Sequence, residues 1–256
     1  RPDPIADPRR AKFLFELLGE STAANGMASY LTQATRSLAA AVVAEGALKP
    51  TSTFTLLRVD ARLKVVATIT DPVDRFSVED APLLQQFLDD ELGYALNLAL
   101  DSLVVTDLLA AAASAGVTVT LGTVRTAITT LQLLNVEPTA IAMNPTTWAV
   151  VEAAALAAYA ANSNVGPNEA FSRRLYGVPV VVTTALATGT AIIGDFGGAT
   201  LFVDQQGIRI DASVATPRVV GAATVSDFQL NQLIFRAERR ALPAITMPTM
   251  FVKLAA

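Results

Sequence analysis

The chain lacks the two residue types that carry much of enzyme chemistry. Its 256 residues include no cysteine and no histidine. Disulfides, thiolate or imidazole metal sites, and serine or cysteine nucleophiles activated by histidine are therefore excluded. Carboxylate chemistry alone stays open, as an Asp/Glu metal site or a glycosidase pair. These absences argue against an ordinary enzyme.

The chain also lacks a surplus of basic residues. Nineteen Lys and Arg stand against 23 Asp and Glu, which gives a net charge of −4 and an isoelectric point near 4.9. This balance does not suggest an electrostatic grip on phosphates, so any DNA nearby would be enclosed without sequence-specific binding. Acidic residues are scattered or lie in runs such as 89–91, which predicts a solvated helix face and no metal or cofactor site.

Signal-peptide and membrane patterns are missing as well. The chain begins at Arg1 without a basic-then-apolar pattern, and its start is expected to reflect protease processing or truncation. The apolar run 102–121 is interrupted by Asp107 and Gly116. It therefore predicts a helix end, a turn and a strand, and no membrane span.

What the chain does have is apolar residues, which make up 52% of it and can bury a substantial core. From residue 57 to 69 the odd positions are apolar, and the even positions from Arg58 to Lys64 are charged. This alternation predicts a strand with one apolar face. Because an isolated hairpin is marginally stable in water, we expect that face to lie against the subunit body or another copy.

Helical patterns flank this segment. Three early prolines predict an arm up to Pro8, and residues 9–18 predict a short amphipathic helix. Residues 77–80 predict a capping box, with Pro82 in the first turn of a helix of about 25 residues, roughly 38 Å long. The predicted apolar stripe of that helix consists of Leu84, Leu88, Leu92, Ala95, Ala99 and Leu103.

From Thr123 the pattern is mixed α/β. A helix is predicted at 124–134 and a strand at 140–143, followed by a helix with Asn144 as N-cap and Pro145 at its first position. Further strands are predicted at 178–183, 190–193, 200–203 and 208–211.

Three later features complete the pattern. Residues 202–210, turning at 205–207, predict a hairpin. Residues 195–197 spell the kinase metal-binding tripeptide, but the kinase catalytic loop needs a histidine, so they predict a turn after a strand. The tail 227–254 is rich in strand patterns and is expected to return to the long helix.

Seven segments, in order, resemble the major capsid proteins of tailed bacteriophages with the Hong Kong 97 fold. They are AEGALKPTSTF, the polar-edged hairpin after it, SVEDAPLLQQFLDDELGYAL, AMNPTTWA, YGVPVVVTTAL, GTAIIGDF and DFQLNQLIFRAERRALPAITMPTMFV. The resemblance implies an α+β, Hong Kong 97-like capsid fold. Its parts would be an N-terminal arm (1–39), an extended hairpin loop (40–74), a peripheral domain with a long spine helix (75–121 and 220–256) and a mixed α/β axial domain (122–219).

The resemblance also implies a structural role. In that family, pentamers and hexamers of one chain build an icosahedral shell around double-stranded DNA, the virion capsid, which is assembled in the host cytoplasm. The implied partners are further copies of the chain, packaged DNA, a scaffolding segment or protein, a maturation protease, a portal and a decoration protein. No cofactor, metal or membrane is implied.

Three residues match positions that crosslink in some relatives, where a hairpin lysine joins an asparagine of a neighbouring subunit with help from a glutamate. By motif position these are Lys49, Asn231 and, as the catalytic proton acceptor, Glu238. Lowering a lysine pKa from about 10.4 to 7 costs roughly 4.6 kcal/mol, so the reaction needs a desolvated pocket between subunits. On one regular strand Asn231 and Glu238 would point to opposite faces, unless a break near residues 232–233 changes the parity.

Other interpretations remain open. All three residues could be ordinary surface residues, because Lys-Pro at this position also resembles relatives that never crosslink. The chain could be an encapsulin-type compartment shell on the same fold, holding a cargo enzyme, although Lys49-Pro50 and the start at Arg1 favour a phage protein. A soluble carboxylate-dependent enzyme is the third alternative.

Overall fold

The computed structural model of the chain describes residues 12–80, 82–160, 173–214, 217–220 and 223–255. The arm predicted up to Pro8 lies outside these residues. Of the helix predicted at 9–18, the described part contains a short 3₁₀ helix, Leu14–Leu17. The α-helices are α1 Arg75–Asp80, α2 Pro82–Ala111, α3 Leu121–Leu133 and α4 Pro145–Ala160.

Within the described residues, the strands form two large sheets and two separate ribbons. In chain order they are β1 Gly19–Ala23, β2 Met27–Ser37, β3 Thr53–Arg62, β4 Lys64–Ile69, β5 Val73–Asp74, β6 Ala113–Ser114, β7 Ala140–Met143, β8 Arg174–Leu175, β9 Val178–Val182, β10 Ala191–Gly194, β11 Ala199–Asp204, β12 Arg209–Ser213, β13 Pro217–Val220, β14 Ala223–Ser226, β15 Gln232–Ile245 and β16 Phe251–Leu254.

Strand β15 is the centre of the first sheet, called sheet I here. Strands β4, β5, β11 and β12 all pair antiparallel with it, and β1 adds to β11 in parallel. Helix α2 packs on β15, where Leu92 and Leu96 share a buried cluster with Phe235 and Ala237. The predicted return of the tail to the long helix is therefore confirmed.

The predicted hairpin at 202–210 is wrong. Strands β11 and β12 pair with successive stretches of β15, and both run antiparallel to it. They therefore run in the same direction, separated by a turn in which the Gly207 N–H donates to the Asp204 carbonyl at 3.2 Å. The partner of each strand is β15, and the paired residues lie between 21 positions (Ser213 and Ile234) and 46 positions (Ala199 and Ile245) apart in the chain.

The alternating segment 57–69 forms two strands that belong to different sheets. Strand β3 pairs with β2 in a long ribbon, whereas β4 joins sheet I. Between them Leu63 is buried, and its N–H donates to the Gly26 carbonyl at 3.0 Å. The burial pattern changes phase there, so that Val65 and Ile69 are 61% and 62% exposed. The prediction of one continuous apolar face on odd positions is therefore wrong beyond Leu63.

Helix α2 is longer than predicted, at 30 residues, and its buried stripe departs from the predicted one after Leu92. Ala95 and Ala99 are exposed. The residues that face the core recur every four positions and are Leu92, Leu96, Leu100, Val104 and Leu108. The predicted capping box at 77–80 is also wrong, because those residues lie in α1. There the Asp74 carboxylate accepts hydrogen bonds from the Ser77 N–H and hydroxyl, at 3.1 and 3.0 Å.

By length and composition, Leu84–Ala111 of α2 could cross a membrane. A helix packed into a protein core passes the same test. The C-terminal half of α2 lies between sheet I and the second sheet, since Leu100 and Leu108 share one buried cluster with Leu201 of sheet I and Ile192 of β10. After α2 the chain turns into β6, as the run 102–121 predicted.

The second sheet, sheet II, has the strand order β6-β16-β10-β7-β9-β8 and is covered by α3 and α4. The predictions of β7, β9, β10 and α3 are confirmed to within three residues at each end. Asn144 caps α4 as predicted, its side-chain oxygen accepting from the Thr146 N–H at 2.9 Å. The Asp195 carboxylate accepts from the Gly197 N–H at 3.1 Å in a turn after β10, as predicted.

Candidate functional site

The β2–β3 ribbon projects an apolar tip. Its ladder runs from the pair Met27/Arg62 to the pair Ser37/Thr53, about 34 Å at 3.4 Å per residue. Beyond it, residues 38–52 form the tip, in which Leu48 is 98% exposed. Large apolar residues exposed this fully on one segment indicate an interaction surface. The tip therefore presents a surface that a second molecule could cover.

The ribbon itself is tied together by polar cross-strand contacts. Thr35 and Thr55 are joined through their hydroxyls at 2.8 Å. The Ser29 hydroxyl donates to the Asp60 carboxylate. This hydrogen bond makes the largest contribution, and the bond from the Arg58 guanidinium the second, to lowering the pKa of Asp60 below its usual value. These cross-strand contacts add to the backbone pairing of β2 and β3. The ribbon also carries exposed apolar side chains at Leu31 and Leu57.

Lys49 lies in the tip, exposed to solvent. Close to it Gly46 adopts a left-handed backbone with φ of +79°, and the Ala47 N–H donates to the Ala44 carbonyl at 3.1 Å. This turn redirects the chain just before the lysine. Within the part of the chain that the structure describes, no hydrogen bond or ion pair joins Lys49 to Asn231 or Glu238.

Asn231 is exposed and its backbone is fixed. It ends the turn before β15 in a left-handed conformation with φ of +52°. Its N–H donates to the Phe228 carbonyl at 3.3 Å, and its carbonyl accepts from the Arg75 N–H at 2.8 Å. Because Asn231 precedes β15, the strand parity expected for residues 231 and 238 does not apply. Asn231 is therefore fixed through its backbone at an exposed corner of sheet I.

Glu238 lies in the middle of β15, opposite Ala67 of β4 and Arg209 of β12. Its carboxylate is 3.3 Å from Nε of Arg236. Arg236 and Arg209 both contact Asp211, at 3.1 and 3.0 Å. Hydrogen bonding from Arg236, and then from Arg209, holds the pKa of Asp211 below its usual value. Glu238 is thus part of a partly exposed ladder of alternating charges.

The structure does not bring the three predicted crosslink residues together in one subunit. Asn231 and Glu238 are separated by seven positions, which is about 23 Å along an extended strand. A reaction that needs all three groups would therefore have to draw them from different subunits.

Sequence reasoning missed two buried polar residues, Asp101 and Thr183. The available signal was a single carboxylate inside the apolar run LNLALDSLVV of α2. Among the described residues, no group of three or more Asp and Glu side chains could hold a metal ion.

The spine-like helix α2, the β15-centred sheet and the projecting ribbon define a Hong Kong 97-like capsid fold. The chain is similar to a chain of Mycobacterium phage Bobi, with a TM-score of 0.70, 18% identity and coverage of 98% of this chain and 92% of that one. It is also similar to a chain of Microbacterium phage Oxtober96, with a TM-score of 0.69, 13% identity and coverage of 100% and 94%. The fold predicted from the sequence is confirmed.

The sequence model of the phage capsid family matches residues 5–255, and the chain belongs to that family. Among individual proteins, it is similar to the major capsid protein of Enterobacteria phage HK97, with 29% identity over 255 residues. The match covers 93% of this chain and 63% of that protein. The chain thus spans less than two thirds of the length of this relative.

Proposed function

We propose that this chain is the major capsid subunit of a tailed phage or prophage, in its protease-processed form. Pentamers and hexamers of it would build an icosahedral shell around double-stranded DNA. The observation that carries the proposal is the β2–β3 ribbon, whose apolar tip at Leu48 is almost fully exposed in the single subunit. A second copy of the chain would cover that surface.

The net charge of the subunit supports a shell that encloses DNA without binding its phosphates strongly. A net charge of −4 gives the subunit no surplus of cations to neutralise phosphates. The charged residues of sheet I around Glu238 also neutralise one another through the Arg209, Asp211 and Arg236 contacts. Assembly would take place in the host cytoplasm and end in the virion, with a scaffolding segment or protein, a maturation protease, a portal and a decoration protein as partners.

Negative-stain microscopy of the purified protein tests this function. Closed shells tens of nanometres across would support it, and a monomer on size exclusion at all concentrations would contradict it. The contents of shells from a native host distinguish the phage proposal from an encapsulin-type shell: double-stranded DNA supports a phage capsid, whereas a protein cargo supports the compartment.

We further propose that Lys49 can crosslink to Asn231 of a neighbouring subunit, with Glu238 from a further position as the proton acceptor. The neutral Lys49 amine would attack the Asn231 carboxamide carbon. A new C–N bond forms, the bond from that carbon to the side-chain nitrogen breaks, and ammonia leaves with the proton taken from the amine. Two observations support the proposal: Lys49 is exposed at a projecting tip, and Asn231 is exposed at a corner of sheet I.

Boiling mature shells in denaturant and running a gel tests the crosslink. Bands at multiples of the monomer mass in the wild type, and their absence in Lys49→Arg, would support the crosslink. Arginine keeps the positive charge but is not a nucleophile at neutral pH. Monomer-sized bands from mature wild-type shells would contradict the crosslink and leave the capsid function standing. In that case Lys49, Asn231 and Glu238 are ordinary surface residues.

A further inference from the structure

Asp101 is a fully buried carboxylate in the C-terminal half of α2. Leu100 and Val104 beside it are also fully buried in the apolar cluster between the two sheets. A carboxylate in such a place is costly unless donors satisfy it. Its position therefore needs an explanation, and its hydrogen bonds provide one.

One carboxylate oxygen of Asp101 binds the N-terminal part of the chain. Oδ1 accepts hydrogen bonds from the Leu14 N–H at 2.6 Å and from the Phe15 N–H at 3.3 Å. Both donors belong to the first turn of the 3₁₀ helix Leu14–Leu17, whose N-cap residue Phe13 provides no side-chain cap. Asp101 thus supplies from α2 the acceptor that this helix end does not have in its own sequence.

The other carboxylate oxygen binds sheet II. Oδ2 accepts from the Thr183 hydroxyl at 2.7 Å. The same hydroxyl accepts from the Ala185 N–H at 3.1 Å, and the Thr183 N–H donates to the Met143 carbonyl of β7 at 2.9 Å. The Thr183 hydroxyl is therefore oriented with its proton towards Asp101, and its backbone is fixed to the sheet.

The N-terminal segment has further contacts that end on sheet I. Phe13 packs edge-on against Tyr94 of α2 with ring centroids 5.9 Å apart, and the Arg239 guanidinium lies 5.9 Å from the Phe15 ring. Five residues beyond Leu14 the chain becomes β1, which pairs with β11. Residues 13–18 therefore cross α2 and lead into sheet I as a strap.

We propose that the Asp101 carboxylate is a conformational latch that couples this strap to sheet II through α2. One carboxylate accepts from both sides. The bond from Thr183 holds it in the position from which it accepts from the Leu14 and Phe15 amides, and the bonds from these amides hold it in place for Thr183. Hydrogen bonds to a charged group in a dry environment polarise one another, so the loss of one donor weakens the remaining hydrogen bonds to the same carboxylate. The strap and residues 183–187, which follow β9, are therefore expected to release together. This release would free residues 13–18 and loosen the contact between the two sheets.

Amide hydrogen exchange of the purified full chain tests the latch, with all variants in the same assembly state. In Thr183→Val, which removes the hydroxyl but keeps the shape, exchange of the Leu14 and Phe15 amides is expected to rise roughly tenfold or more. Thr183→Ser, which keeps the hydroxyl, should restore wild-type exchange. Asp101→Asn should raise exchange at the same amides. The control Asp107→Asn on the same helix, which removes the charge that pairs with Lys64, should not.

The pattern across the chain separates a latch from simple loss of stability. A latch predicts that the increase is confined to residues 13–18 and 183–187, and that Asp101→Asn combined with Thr183→Val changes exchange no more than the larger single change. Three results would overturn the proposal. The first is unchanged exchange of the Leu14 and Phe15 amides in Thr183→Val, and the second is a uniform rise of exchange that includes β7 and β10. The third is an increase in the double variant equal to the sum of the two single increases. Because the readout is on the subunit, it is independent of whether shells form.

Discussion

At the scale of single residues, two glycines differ in what surrounds them. A Cβ at Gly194 of β10 would overlap the Met250 carbonyl oxygen and the Phe251 ring. At Gly93 in α2 a Cβ would meet nothing within 4 Å. The first glycine allows β10 and the turn before β16 to approach closely, whereas the second only lowers the helix propensity of α2.

We therefore expect the same substitution to have opposite effects at the two positions. Gly194→Ala should destabilise the subunit by about 1–3 kcal/mol through overpacking. Gly93→Ala should stabilise it by about 0.5–1 kcal/mol through helix propensity. Urea unfolding of matched preparations gives both values. Equal effects of the two variants would show that the packing described at Gly194 is incorrect.

Asp211 gives a pH dependence of known sign. Its pKa is lowered below the ordinary value of 3.8, chiefly by hydrogen bonding from Arg236 and then by Arg209. A group with a depressed folded-state pKa adds stability above its unfolded value and loses it as the pH falls through the folded value. The wild type should thus lose stability relative to Asp211→Asn below pH 3.8, by a small amount because the group is exposed. Unfolding midpoints between pH 2 and 5 test this, and parallel curves for the two proteins would contradict it.

At the scale of elements, α2 is stabilised by the face it buries. Leu100 is fully buried between the sheets, whereas Leu98 on the same helix is 36% exposed. Leu100→Ala should cost about 2–5 kcal/mol, because it leaves a cavity in a packed core. Leu98→Ala should cost about 0.5 kcal/mol or less. Comparable losses in urea unfolding for both variants would mean that the helix is not oriented as described.

Elements defined by their own sequence were predictable, and those defined by a distant partner were not. Strand β7 and helix α3 carry their signals within a dozen residues. The direction of β12 depends on β15, and the change of phase at Leu63 depends on which sheet each strand joins. Periodicity reports an apolar face but not its partner, which explains the incorrect hairpin and the incorrect continuous strand.

The candidate site was likewise predictable only where its residues belong to a recognisable local motif. The resemblance assigned Lys49, Asn231 and Glu238 by position in their motifs, and these assignments stay predictions. The sequence could not show that Asn231 precedes β15 and that half of this strand separates it from Glu238, because the start of β15 is set by its pairing with β5 and β12. Asp101 and Thr183 are 82 positions apart, and their contact exists only in the folded chain.

At the scale of the whole molecule, the ribbon tip contributes little to the single subunit and much to assembly. Replacing residues 40–50 with a short Asn-Gly turn should leave the urea midpoint of the subunit nearly unchanged, since the tip is exposed. The same variant should fail to form closed shells on negative-stain grids. Lys49→Arg, which keeps the length and charge of the tip, should still form them. Normal shells from the shortened variant would show that the tip is not an assembly surface.

The central position of β15 also has a consequence for synthesis of the protein. In the part of the chain that the structure describes, every strand that pairs with β15 precedes it, from β4 at residue 64 to β12 at residue 209. Sheet I therefore cannot close while the ribosome is still translating residues before 232, and its earlier strands must wait with unpaired edges. A polypeptide released early lacks the strand that joins all the others. Such a product cannot form sheet I, and we therefore expect that it does not enter an assembled shell.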